Sequence, residues 1–78
     1  MSEPGLVKAE PLSADKALEI LRRLGLVIGR RYVLAVEQLN RDMYRVIFAK
    51  EGTILQVYLT KHNGEWRRTF LQPLVMKQ

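Results

Sequence analysis

The sequence predicts an α+β domain: one N-terminal helix packed on a four-stranded antiparallel meander sheet, with room for a fifth strand. Three observations predict it. Apolar residues recur at a period near 3.6 between Ala14 and Leu24. After Gly29 the chain turns to β-branched and aromatic residues in four short runs. Each gap between those runs carries turn residues, so each connection reads as a hairpin.

Residues 1–12, with Pro4, Gly5 and Pro11, read as an extended or flexible lead-in, in which Leu6-Val7 suits a short edge strand. Ser13 is a good helix N-cap, and Asp15 places negative charge in the first turn, where the dipole favours it. Ala14, Ala17, Leu18, Leu21 and Leu24 form the apolar stripe. Gly25 suits the left-handed position just past the helix end, and Leu26 can then pack back on Leu21 as in a Schellman motif. Arg22 and Arg23 complement the negative end of the helix dipole, a capping role preferred to ligand binding.

The strand runs are Tyr32–Leu39, Met43–Lys50, Thr53–Thr60 and Glu65–Leu71. Asn40-Arg41-Asp42, Glu51-Gly52 and Asn63-Gly64 separate them. The single domain thus spans residues 13–72, with a tail at 73–78. A two-residue loop at Glu51-Gly52 sets Phe48 opposite Leu55, Val46 opposite Val57 and Tyr44 opposite Leu59, all on one apolar face. A three-residue loop at Asn40–Asp42 adds Leu34 and Val36 to that face; a two-residue loop would bury Glu37 there instead, at a heavy cost. The third hairpin adds Trp66 and Phe70. The helix stripe has this face to cover.

The opposite face reads Arg31, Val33, Ala35, Glu37, Arg45, Ile47, Gln56, Tyr58, Thr60, Arg67 and Thr69, with Ile54 and Leu71 beside them. Glu37, Arg45, Tyr58 and Thr69 fall in one cross-strand row, where Glu37 can pair with Arg45 and Arg45 can lie over the Tyr58 ring. This face is too apolar for comfortable exposure and too polar for a core. It suits a dimer interface, a nucleic-acid platform with Tyr58 stacking and arginines on phosphates, or a bed for the terminal segments. The candidate binding residues are Arg31, Arg45, Tyr58, Lys61, Arg67 and Arg68.

Composition bounds the rest. Seventy-eight residues bury roughly 60–65% of their unfolded surface, so the core is modest and self-association would help it. Without cysteine there is no disulfide, thiolate zinc site or cysteine nucleophile. The lone histidine, His62, sits by a turn and reads as solvated. The formal net charge is +5: residues 1–25 balance, and residues 26–78 carry nine basic and four acidic side chains. Such an excess attracts polyanions, of which nucleic acid is the commonest in cells. No run approaches the roughly 20 apolar residues of a membrane span, and the start lacks the pattern of a secretory signal, so a cytoplasmic setting is expected. Eight arginines against five lysines and two asparagines lean towards a thermophile. No phosphate-binding glycine loop or nucleophile–base set is present; neither catalysis, a cofactor, a metal, a membrane nor a small-molecule substrate is expected.

The order helix, then strands reading Tyr44-Arg45-Val46, Gly52-Thr53, Val57-Tyr58-Leu59 and Asn63-Gly64-Glu65, resembles the PepSY domain pattern over residues 13–66. Such domains are often extracytoplasmic and associated with peptidase inhibition or regulation. Here Thr60-Lys61 stands where that pattern commonly carries an acidic residue. The resemblance implies a fold analogy and carries no function across.

The sequence therefore predicts a small basic non-catalytic module that binds nucleic acid, DNA or RNA, through the exposed sheet face and its arginine-rich rim. The alternative is a homodimeric or partner-binding structural or regulatory module using the same face. Replacing Arg45 and Tyr58 by alanine separates the two: polyanion binding falls in the first case, and oligomeric state changes in the second.

Overall fold

A computed structural model describes residues 12–74. Helix α1 (Ala14–Arg23) begins where Ser13 Oγ accepts the Lys16 backbone N–H at 3.1 Å. It ends in a Schellman motif: Gly25 adopts φ +91°, its N–H donates to the Arg22 carbonyl at 3.0 Å, and the Leu26 N–H donates to the Leu21 carbonyl at 2.8 Å. Ten residues are too few to hold a helix in water unaided, so α1 depends on what it packs against.

A single 3₁₀ turn (Arg30–Tyr32) leads into strands β1 (Val33–Asn40), β2 (Met43–Lys50), β3 (Thr53–His62), β4 (Glu65–Arg68) and β5 (Gln72–Pro73). The sheet is antiparallel in the order β1-β2-β3-β4, and β5 pairs with the first half of β3. This is the predicted α+β meander. Its fifth strand comes from the C-terminal side; Leu6-Val7 lies outside the described residues. Glu51 and Gly52 have φ +52° and +78°, and Asn63 and Gly64 have +53° and +82°, so both tight turns have the double left-handed backbone whose twist matches a hairpin.

The β2–β3 register is as the sequence predicts, with Tyr44, Val46 and Phe48 opposite Leu59, Val57 and Leu55. These residues, with Ala17, Ile20 and Leu21 of α1, make the core; Leu55 is partly buried and the others are buried. Ile20 was not in the predicted stripe. It lies three residues from Ala17 on the same helix face, and the stripe is wide enough to include it.

The outer strands depart from simple alternation, and each departure is a bulge. Between Val33 and Ala35 the pairing with β2 skips Leu34, which is therefore 55% exposed, while Val33 packs on the core. Sequence alternation had placed these two the other way round. At the end of β1, Asn40 Oδ1 accepts the Asp42 N–H at 2.9 Å. Asn40 then pairs with Met43 around a two-residue loop, Arg41-Asp42, and Leu39 becomes the extra residue. The predicted register of Val36 and Glu37 survives upstream.

The third bulge separates β4 from β5. Leu59 pairs with Arg68, but Gln56 pairs with Gln72, so three residues face two. Thr69 makes this possible: its hydroxyl accepts the Tyr58 N–H at 3.0 Å while its own N–H donates to the Tyr58 carbonyl at 3.1 Å. One extra residue reverses the sidedness that follows. Phe70, predicted in the core, is 85% exposed, and Leu71, predicted outside, packs on the core.

This exchange predicts unequal truncations. Leu71→Ala should lower unfolding stability by about 1–2 kcal/mol for a partly buried leucine, and Phe70→Ala should change it by less than about 0.5 kcal/mol. Urea unfolding of both variants checks it; equal losses would contradict the bulge.

Candidate functional site

Side chains on the face of the sheet away from α1 follow from the strand pairing. One row runs Glu37, Arg45, Tyr58 and Thr69; the next runs Ala35, Ile47, Gln56 and Gln72. Met43, Thr60 and Arg67 lie to one side, and Ala49 and Ile54 to the other. Met43 and Ala49 were missed at the sequence level, although alternation from Arg45 along β2 reaches both.

Arg45 is the centre of the face. Its Nε and Nη2 both donate to Glu37 Oε1, at 2.8 and 2.6 Å. Among the described residues no hydrogen bond reaches Glu37 Oε2. The Glu37 hydrogen bonds, followed by the neighbouring Tyr58 phenol, hold the Arg45 guanidinium above its usual pKa, so its charge is fixed throughout the working pH range. Arg67, also on this face, lies 3.9 Å from Glu65. Among the described residues the face therefore carries two arginines and two glutamates, with His62 at its margin. In the second row the Gln56 Oε1 is buried and has no hydrogen-bond partner.

Of the six candidate residues, the structure brings Arg45, Tyr58 and Arg67 together and sends three elsewhere. Arg31 lies in the 3₁₀ turn ahead of the sheet, its guanidinium 5.7 Å from the Tyr32 ring centroid. Lys61 is on the helix side, its ammonium 5.6 Å from the Trp66 ring, which in turn tilts against Tyr44 at 6.0 Å. Arg68 is on the helix side as well. Its Nε donates to the Leu24 carbonyl at 3.0 Å and its Nη1 to the Thr69 carbonyl at 3.2 Å. It caps the C-terminal end of α1, the end whose carbonyls lack partners. Arg67 and Arg68 part company because strand neighbours point to opposite faces.

The described residues hold eleven basic and six acidic side chains, an excess of five. None of that excess lies on the open face. It belongs to α1, the 3₁₀ turn and the helix-side rim, where Arg22, Arg31 and Lys61 have no carboxylate within 4.0 Å among the described residues. A groove of about 320 Å³ on that side is lined by Val27, Ile28, Tyr32, Phe48 and Ala49, with Lys50 and Glu51 at its mouth. Among the described residues no three His, Cys, Asp or Glu side chains gather as metal ligands, and no helix is long and apolar enough to cross a membrane.

Arg68→Met keeps the packed stem and removes the cap, and should lower stability by about 1 kcal/mol with faster amide exchange at Leu24–Leu26. Thr69→Val should cost a similar amount, about 1 kcal/mol, by leaving the Tyr58 N–H to water. Urea unfolding with native-state hydrogen exchange reads both; unchanged exchange around Leu24 in the Arg68 variant would contradict the capping role.

No protein-family model matches the chain, and no curated protein or solved structure matches it, so the PepSY-like order of elements is a likeness of layout and shows no family.

Proposed function

We propose that this chain is a non-catalytic binding module that meets a protein partner through the open face of its sheet, with the cytoplasm as its setting. The charge balance of that face carries the reading. Each of its two arginines has a glutamate beside it, and on the side of Arg45 away from Arg67 the surface is Ala35, Ile47, Ala49 and Ile54 around Gln56. A polyanion platform needs unpaired cations and two or three stacking aromatics. Here Arg45 already has its counter-ion, and Tyr58 is the one aromatic ring among the described residues of the face. An apolar patch with internally satisfied charges matches the character of a protein interface.

A second reading keeps nucleic acid as a partner but moves it to the other side of the molecule. Its support is the basic excess around Arg22, Arg31 and Lys61, which lack carboxylate partners among the described residues. Lysine and arginine on phosphates bind any sequence and weaken steeply with salt.

A titration against generic single- and double-stranded DNA and RNA, from about 20 to 200 mM salt, separates the readings. Replacing Arg45 and Tyr58 together by alanine should leave any polyanion affinity within about twofold, while Arg22→Ala with Arg31→Ala should weaken it at least about fivefold. Loss of binding in the Arg45/Tyr58 variant would overturn the protein-interface reading. No binding at the lowest salt would remove the second reading alone.

A further inference from the structure

We infer that Asn63-Gly64, the turn between β3 and β4, is a self-modifying site: the Asn63 side-chain amide closes onto the Gly64 nitrogen, losing ammonia, once β4 lifts from β3. The inference goes beyond both readings above and holds whichever surface meets a partner. The pair has the groups this chemistry needs. Asn63 supplies an uncharged carboxamide whose Cγ is an electrophile. Gly64 supplies a backbone nitrogen with no side chain to crowd it, and a Cβ placed there would meet nothing within 4 Å. Both residues are exposed. Among the described residues the Gly64 N–H donates to no backbone group, and the Asn63 side chain makes no hydrogen bond. Asn40, the other asparagine, differs on both counts: Arg41 follows it, and its Oδ1 accepts the Asp42 N–H at 2.9 Å.

The reaction needs water alone, with no oxidant or reductant. The Gly64 nitrogen gives its proton to solvent and attacks the Asn63 Cγ. An N–Cγ bond forms, the Cγ–Nδ2 bond breaks, and Nδ2 leaves as ammonia after taking a proton from solvent. Water then opens the five-membered imide at either carbonyl. Attack at Cγ gives aspartate. Attack at the backbone carbonyl gives isoaspartate, whose chain runs on through Cγ. Both products carry a carboxylate where the amide was neutral, and isoaspartate lengthens the backbone by one atom.

The closed hairpin holds this reaction off. Asn63 and Gly64 have φ +53° and +82°, and His62 pairs with Glu65 across them, which defines a type I′ turn. Such a turn sets ψ of its first central residue at about +30°. The Asn63 Cβ and the Gly64 nitrogen then lie on opposite sides of the Cα–C bond, whereas ring closure needs them on the same side. The turn must open first, and β4 governs how often it does. β4 is a four-residue strand at the end of the sheet order. Arg68 ties its far end to the Leu24 and Thr69 carbonyls, and the Thr69 hydroxyl accepts the Tyr58 N–H. Short outer strands open locally more readily than core ladders. Modification is then one-way. A lengthened isoaspartyl turn no longer fits the two-residue loop, so the register that sets Trp66 beside Tyr44 and Arg68 on Leu24 goes with it.

The test holds the full chain, folded and in urea, at one pH and at a temperature where conversion of the folded chain is measurable. Peptide mapping by mass spectrometry follows amide turning to acid, and enzymatic methylation detects isoaspartate. Conversion should occur at Asn63 and not at Asn40, and at least about tenfold faster in urea. Arg68→Met and Thr69→Val both loosen β4, so each should speed conversion of the folded chain by about threefold to fivefold. Asn63→Gly keeps the positive φ that the turn requires and should lose the methylatable product. Circular dichroism checks folding; should Arg68→Met fail to fold, Thr69→Val is read alone.

Conversion at Asn40 in preference to Asn63, or a methylatable product that survives in Asn63→Gly, overturns the site. Equal rates in urea and in the folded chain overturn protection by the turn. Release by β4 is overturned if the loosened variants convert no faster than wild type, or if the folded chain never converts at any temperature short of unfolding.

Discussion

The ladder between β2 and β3 holds this fold together, because it is the one strand pairing with eight consecutive partners and no irregularity. Its turn fixes the sidedness of both strands at once: a left-handed pair at Glu51-Gly52 admits one register, and that register lines Tyr44, Val46 and Phe48 up with Leu59, Val57 and Leu55. Among the described residues, five of the eight buried ones come from these two strands. The remaining three belong to α1, a helix too short to persist unless it covers this surface. β1 and β4 then attach at the flanks, where bulges are tolerated because fewer neighbours constrain the chain.

That hierarchy explains which parts of the fold were legible in the sequence. The central hairpin could be read residue by residue, since a tight turn and strict alternation leave one solution. Ser13 and Gly25 marked the helix ends through backbone requirements few residues satisfy. The flanks were legible only in outline. Leu34 and Phe70 sit in runs whose neighbours are equally apolar, so alternation assigns them a side without registering that a residue has been inserted. Thr69 marks the insertion before Phe70 and Asn40 the one at Leu39, because each side chain takes over a backbone hydrogen-bonding role there, whereas no such side chain marks Leu34.

The candidate site was legible in kind and not in grouping. The row Glu37, Arg45, Tyr58, Thr69 follows from register alone and is present. The larger set of basic residues was assembled from composition, which carries no information about sides. Once strand alternation and the 3₁₀ turn distribute them, Arg31, Lys61 and Arg68 face away from Arg45, each engaged by an aromatic ring or a carbonyl. A strongly basic chain can thus present a sheet face whose described charges balance.

The bond from Arg68 to the Leu24 carbonyl joins residues 44 apart in sequence. During synthesis α1 emerges before the strands, and the groups that secure it come much later: the central hairpin that it covers, then the arginine that closes its last turn. Contacts this distant in the chain form slowly, because a long loop must close before they give anything back. The helix is thus made before the groups that fix it: until β3 is complete it has no sheet to lie on, and until β4 is complete its last turn has no cap. In the cell that interval, set by the 44 residues between Leu24 and Arg68, is when the helix is most open to chaperones, proteases and other chains.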